Sequence, residues 1–530
     1  MISRRALMFT ASATPFLSLA GPGMADTPKD TLVLGMAIDD IISLDPAQAF
    51  EFSGGEVDGN CYERLVIPNP KNPSELVGEI AEKWTISPDG LTFTFTLKSG
   101  MKFASGKPIT AEDAAFSLQR AVKLNKTPAF IINQFGFTKD NVDERIKATG
   151  PLTLTYTIGE TIAPSFVLYC LSANVGSVVE KAVVMSHDVN GDMGNEWMKS
   201  NSAGSGPFVV RSWKASESVI LDANPNSPLK PKIRRAIMKH IPDPSAQMLQ
   251  LKQGDIDIAR NLLPDQLKSA MTDKTLQTST APRSYVMYTC MNQNHPMLSK
   301  PQVRQAIKWA IDYEGIHANI VSTTHVVQES FIPQGVLGSI NDRPFKKDIA
   351  KAKALMAEAG LAGGFEITLD HSNVQPVPDI AQTIQANLAE IGIKATLVAG
   401  EGRQVITKYR ARQHQLLIQA WGIDYFDPHS NAETFCVNVD NSDGARSKTL
   451  AWRNSWQDAD LTQRALAAVK ETDTKKRAEM YAQMQRDHHQ RGPFALMFQS
   501  VEIAVMRKNL AHFAVAPMYS RTRFDTATKT

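Results

Sequence analysis

Phe365-Glu366-Ile367-Thr368-Leu369, then Pro378 with Ile380, Ile384, Leu388 and Ile391 behind it, then Gly392, then the run Ile393 to Val398 give, in order, a strand, a helix, a stop and a second strand. The first stretch alternates apolar and polar residues, the period of a strand with one buried face. Pro378 suits the opening turn of a helix, where its missing N–H is no loss. The apolar residues behind it recur every three or four positions and fall on one face. Two strands joined by a crossover helix form an α/β unit, so the chain is expected to fold around a sheet covered by helices.

The same punctuation runs along the rest of the chain. Upstream, Ile349 to Ala359 is a helix stopped by Gly360, and Pro301 precedes a helical stripe of Val303, Ile307 and Ile311. Near the N-terminus, Thr31 to Ala37 reads as a buried strand. The turn Ser87-Pro88-Asp89-Gly90 feeds Leu91, Phe93, Phe95 and Leu97, which alternate with threonines. Thr110 with Asp113 three residues later is a capping-box signature for a helix over Ala111 to Val122. Asp222 to Lys232, with three prolines and two asparagines, is a loop or an edge connection. Downstream, the strand Gln415 to Ala420 runs into Trp421-Gly422-Ile423-Asp424-Tyr425-Phe426-Asp427-Pro428, a loop of aromatics and carboxylates at a strand end. Open α/β sheets place ligands at such ends.

The chain has 530 residues, 43% of them hydrophobic and 21% charged, which makes it an ordinary globular protein of several structural units. A formal net charge of +3, without a basic patch or basic-aromatic interleaving, gives nucleic acid no foothold. Residues 1–25 read as an export leader: Ser3-Arg4-Arg5, then a mostly small or apolar stretch, then Gly23-Met24-Ala25 at a cleavage site. The mature chain would begin at Asp26, exported by the general secretory route or, given Arg4-Arg5, by the twin-arginine route. No later stretch is long and apolar enough for a transmembrane helix. Cys61, Cys170, Cys290 and Cys436 are too far apart for a CxxC motif and leave zero, one or two disulfides open.

Catalytic motifs are absent. Gly204-Ser205-Gly206-Pro207 lacks the spacing of a nucleophile elbow, and the loop Gly100 to Lys107 ends in Pro108 where a phosphate loop needs a hydroxyl. His488-His489 sits in a polar stretch, and adjacent residues point to different sides of a helix, so no shared metal is expected there. His371, His414 and His429 lie near the cleft segments. Asp424, flanked by Trp421 and Tyr425, can pair with a ligand ammonium while an aromatic face packs its stem, or it can cap a turn. The local sequence leaves both readings open.

One resemblance covers nearly all of the mature chain. It is carried by Leu44-Asp45-Pro46 with Tyr62-Glu63-Arg64-Leu65-Val66, by Ala81-Glu82-Lys83-Trp84 through Phe95, by Leu97 to Phe103 and by Thr110-Ala111-Glu112-Asp113. Later blocks follow in the same order: Gly204 to Phe208, Gly254-Asp255-Ile256-Asp257, Val303 to Ile307 with Ala310-Ile311-Asp312, Ala357 to Gly360, and Trp421 to Pro428. These residues resemble the peptide- and nickel-type periplasmic solute-binding proteins of ABC importers (family 5).

The resemblance implies a two-lobed α/β periplasmic binding protein fold with two hinge strands and an extra subdomain inserted in lobe I. Lobe I would comprise 26–65, 203–295 and 500–530 with 66–202 as the insert, and lobe II would be 296–499. The hinges would fall near Tyr285 to Met291 and Phe494 to Val501. The implied function is capture of a small peptide or peptide-like amine by lobe closure and delivery to a permease in the inner membrane. The protein is expected in the periplasm as a monomer, without cofactor, metal or catalytic residue.

By the same analogy Asp424 holds the ligand's α-ammonium with Trp421 and Tyr425 beside it, and Asp40 lies in the first cleft-facing loop. Two departures stand out. The arginine that dipeptide binders carry at the start of the helix matching Pro378 to Ile391 is replaced by Pro378-Asp379, and Gly402 stands where a tryptophan often follows the glutamate matching Glu401. Arg403 is then a candidate replacement anion clamp, and an opine, sugar conjugate, polyamine or nickel complex is an alternative ligand. A secreted hydrolase is a third reading, without a motif to support it.

Overall fold

The computed structural model describes residues 26–70 and 72–530, so the expected leader lies outside the described residues. Its backbone is two antiparallel strands of unusual length, Leu276–Met291 and Phe494–Arg507, paired from Leu276 opposite Arg507 to Cys290 opposite Phe494. The register breaks between Pro282 and Val286, where the pair bends.

On one flank Leu416–Gly422 pairs antiparallel with the first of them, Phe365–Ser372 pairs parallel with Leu416–Gly422, and Ile393–Gly400 closes the edge in parallel. This is the expected α/β unit. Its crossover helix, Val377–Ala389, buries Ile380, Ile384 and Leu388. On the other flank the order is Ile258–Ala259, Thr31–Met36, Arg235–His240, Ser218–Ala223 and Phe208–Lys214. The fold is therefore the two-lobed α/β fold that the sequence implied, with each flank built around its own core. Val303, Ile307, Leu369 and Ile384 belong to one, and Leu32, Leu34, Phe208 and Met238 to the other.

A third core belongs to the segment after Leu65. Ala81–Ile86, Thr92–Leu97, Thr153–Thr157 and Ile146–Gly150 form a separate antiparallel sheet, and Phe93, Phe95 and Leu97 face its core because they alternate with threonines. Ala111–Leu124 packs on this sheet. Thr110 Oγ1 accepts from the Asp113 amide at 3.3 Å while Asp113 Oδ2 accepts from the Thr110 amide at 3.1 Å, so the expected capping box forms in both directions. Gly360 and Gly392 end their helices at φ +72° and +83°, in the left-handed region that glycine enters without strain. Gly364 faces Gly392 so closely that a Cβ there would lie 1.8 Å from the Gly392 carbonyl oxygen.

The four cysteines are free and buried, and among the described residues no helix is long and apolar enough to cross a membrane.

Candidate functional site

A cleft of about 620 Å³ opens where the bent pair of long strands meets both flanks and the inserted segment. Phe52 and Tyr519 line it from one side, and Val405, Ile406 and Tyr409 from the other. Phe50 and Phe52 are 41% and 48% exposed, which is unusual for phenylalanine outside a binding surface. The strand Leu416–Gly422 delivers Trp421 and then Asp424 to the cleft.

Asp424 is held by its backbone, whose N–H donates to Ser430 Oγ at 2.9 Å. Its half-buried carboxylate makes no hydrogen bond or ion pair among the described residues. Burial pushes that carboxyl up to about 7, the nearby Glu433 carboxylate adds to the rise, and the Arg453 guanidinium opposes it. Glu433 is likewise raised by burial and has no ion-pair partner among the described residues. Both acids line a second cavity of about 530 Å³ behind Asp424, closed by Asn133 and Gln134 of the inserted segment. A carboxylate left without a counter-charge in a partly desolvated cleft is an acceptor for a cation.

The loop that carries Asp424 is braced by its other aspartate. Asp427 accepts two hydrogen bonds from Arg477, at 2.6 and 2.7 Å, with both side chains wholly buried, and its Oδ1 also accepts from the His429 amide at 2.8 Å. Arg477 donates further to Ala468 O and to Ser165 Oγ of the inserted segment. The turn-forming role thus falls to Asp427 and leaves Asp424 open.

Trp421 lies in the cleft wall. Its indole Nε1–H is buried without a partner, and the Arg453 guanidinium sits 5.8 Å from its ring centroid. Tyr425 turns away from the cleft into the core of the inserted segment, 5.4 Å from the Phe166 ring, and borders only the second cavity. Arg403 is exposed on the helix Gly402–Arg410 and lies outside the cleft lining, to which this helix contributes Gly402, Val405, Ile406, Tyr409 and Arg410. Asp40 is exposed and accepts from the Ser53 amide at 3.0 Å, in the first turn of the helix Phe52–Cys61, outside the lining of either cavity.

The histidines do not converge. His371 bonds the Ser372 carbonyl, His414 bonds Asn454 Oδ1 and His429 bonds Tyr481 Oη. Among the described residues no group of three or more His, Cys, Asp or Glu side chains is placed to hold a metal ion. His488 and His489, in a polar stretch of sequence, are both buried on the helix Thr474–Arg491. His488 sits in an aromatic nest of Phe331, Trp456 and Phe494.

Three cleft residues carried no local signal in the sequence: Arg283, Arg453 and Tyr519. Neither arginine is paired with a carboxylate among the described residues.

This architecture, with a ligand-sized cleft between two lobes, is that of a bacterial extracellular solute-binding protein. The family model "Bacterial extracellular solute-binding proteins, family 5 Middle" matches residues 75–443, and the chain belongs to that family. It is 30% identical over 500 residues, 93% of each chain, to the probable D,D-dipeptide-binding periplasmic protein DdpA of Escherichia coli. It is 26% identical over 475 residues to the dipeptide-binding protein of the same organism, covering 86% of this chain and 87% of that one. Among solved structures, the substrate-binding protein CtaP of Listeria monocytogenes superposes with a TM-score of 0.81 at 20% identity, over 96% of this chain and all of that one.

Proposed function

We propose that the protein is the periplasmic substrate-binding component of an ABC importer, which captures a small peptide or peptide-like amine and presents it to a membrane permease as a monomer. The observation that carries this reading is Asp424, an uncompensated carboxylate at a strand end in a cleft lined by both lobes. The relatives named for dipeptides support the ligand class, and family membership supports the partnership with a permease.

A division into lobe I (26–65, 203–295, 500–530), its insert (66–202) and lobe II (296–499) is supported by the presence of separate cores, which share some residues across those bounds. In this reading the bend at Pro282 to Val286 absorbs the motion that opens and closes the cleft. Ligand favours the closed form because it touches both lobes at once. Contacts between the insert and lobe II include the Ala163 amide to the Val469 carbonyl at 2.9 Å, Lys470 to Glu160 at 2.8 Å, and Arg477 to Ser165. No bond chemistry is involved.

A second reading, a non-peptide amine such as an opine or sugar conjugate, draws on Gly402. A Cβ there would meet nothing within 4 Å, so the cleft has room where the usual tryptophan would stand. Titration calorimetry with di- to tetrapeptides, opines and polyamines tests both. Asp424→Ala should weaken an amine ligand by roughly 2–5 kcal/mol, the cost of removing a buried charge partner. Unchanged affinity would remove Asp424 from the site.

A further inference from the structure

The peptide reading accounts for the ligand's ammonium but leaves its other end without a partner, because the arginine of the helix matching Pro378 to Ile391 is missing. Arg283 lies in the same cleft, in the bend of the long strand. Its guanidinium is caged by three rings, 4.6 Å from the centroid of Phe52, 4.9 Å from Tyr285 and 4.5 Å from Tyr519. The rings hold the plane of the cation but leave its N–H donors unused, since its side chain makes no hydrogen bond or ion pair among the described residues.

The neighbouring acids are committed elsewhere. Glu502 and Glu56 are bonded to Arg260 at 2.8 Å each, and Glu51 accepts from the Phe50 amide. Next to Arg283, Ser284 is only 6% exposed, lines the cleft, and has a buried hydroxyl with no partner.

Arg283 and Asp424 flank one backbone hydrogen bond in the cleft wall. The Ser284 carbonyl accepts from the Ile423 amide at 3.1 Å, so each charged residue is one position from that bond, yet no ion pair joins them. Two opposite charges on one rim, both open, are complementary to a ligand that carries both charges.

We propose that Arg283, with the Ser284 hydroxyl, is the carboxylate clamp of this binding protein, and that its ligand is a short zwitterion with its ammonium on Asp424 and its carboxylate on Arg283. This rests on the peptide reading and specifies it. The clamp lies on the hinge and the lobe I side, so a ligand that satisfies it and Asp424 together ties the lobes. The aromatic cage restricts where the guanidinium can move, and a guanidinium fork suits a planar carboxylate taken in bidentate fashion.

The test is calorimetry on the full mature protein with Ala-Ala, D-Ala-D-Ala and Ala-Ala-Ala, each as free acid and as C-terminal amide. The wild type is expected to prefer the acids by roughly ten- to a hundredfold, the worth of a charge-assisted hydrogen-bonded pair. Arg283→Gln should abolish that acid-to-amide ratio, and Arg283→Lys should keep part of it. Arg453→Gln, which removes another cation of the cleft that has no carboxylate partner among the described residues, should leave it intact. Because the ratio is taken within one variant, a stability loss from the emptied cage does not imitate the effect.

Equal binding of acids and amides by the wild type overturns the clamp and leaves the peptide reading standing. A ratio lost in Arg453→Gln and kept in Arg283→Gln also overturns it. Failure of every acid and amide to bind overturns the peptide reading and the clamp together.

Discussion

The protonation of Asp424 sets how binding depends on pH. In the ligand-free protein its carboxyl titrates at about 7, raised by burial first and by Glu433 second. A bound ammonium stabilises the ionised form, so the complex holds that carboxylate charged well below pH 7 and binding expels a proton wherever the free protein carries one. From pH 7 to pH 5 the ionised fraction of free Asp424 falls from about one half to about one hundredth. The dissociation constant of an amine ligand should therefore rise roughly fiftyfold, about 2.3 kcal/mol. Above about pH 8 a peptide's own α-ammonium deprotonates and affinity falls again, so the profile is a bell. Calorimetry at half-unit steps, in two buffers of different ionisation enthalpy, reads both the affinity and the protons released. Asp424→Asn should weaken binding and erase the acid limb. Glu433→Gln should shift that limb to lower pH, since one of the influences raising Asp424 is gone. A wild-type profile flat from pH 5 to 7, or an acid limb that survives in Asp424→Asn, would refute the assignment.

Other consequences follow from the same contacts. Without ligand, ionised Asp424 is a burden on the fold. Its folded-state value lies above the ordinary carboxylate value, so stability declines as pH rises from about 4 to about 7, and Asp424→Asn should raise the melting temperature most at pH 8, less at pH 5 and scarcely at pH 4. Removing Arg477 strands the wholly buried Asp427. Arg477→Met should cost about 3–5 kcal/mol in urea unfolding, and a loss below about 1 kcal/mol would deny the pair its bracing role. Thr110→Ala breaks half of a reciprocal capping box and should cost about 1 kcal/mol by the same measurement.

The parts legible in the sequence were those that short-range physics decides. Alternating threonines and apolar residues over 91–97, the Thr110 box, and Gly360 and Gly392 as stops each reflect a backbone need met within a few residues. The loop 421–428 was legible for the same reason, as a strand end rich in rings and acids. Arg283 was not, because its cage is assembled from Phe52, Tyr285 and Tyr519, which only the fold brings together. Helical phase alone could not place Arg403: it shares a face with Ile406 and Arg410, which line the cleft, but it sits one turn or more earlier along the helix and is exposed outside the lining. Hydropathy also concealed His488 and His489, since the helix 474–491 buries a stripe of polar residues, including Arg477, which donates to Asp427, and Gln485, whose Nε2 donates to the Gly338 carbonyl.

The four thiols turn the molecule into its own reporter. Cys61 lies in the helix behind the first lobe's edge, Cys170 in the insert, Cys290 at the end of a long hinge strand, and Cys436 in the helix after the Asp424 loop. Each is buried and its thiol is pushed up by that burial, Cys290 to about 12, so none offers a thiolate to solvent while its region stays closed. An alkylating reagent then counts opening events region by region, without any introduced label. A saturating ligand should slow the clock at Cys436 and Cys290, which share a core with the cleft residues Tyr288, Val405 and Tyr409, more than at Cys61.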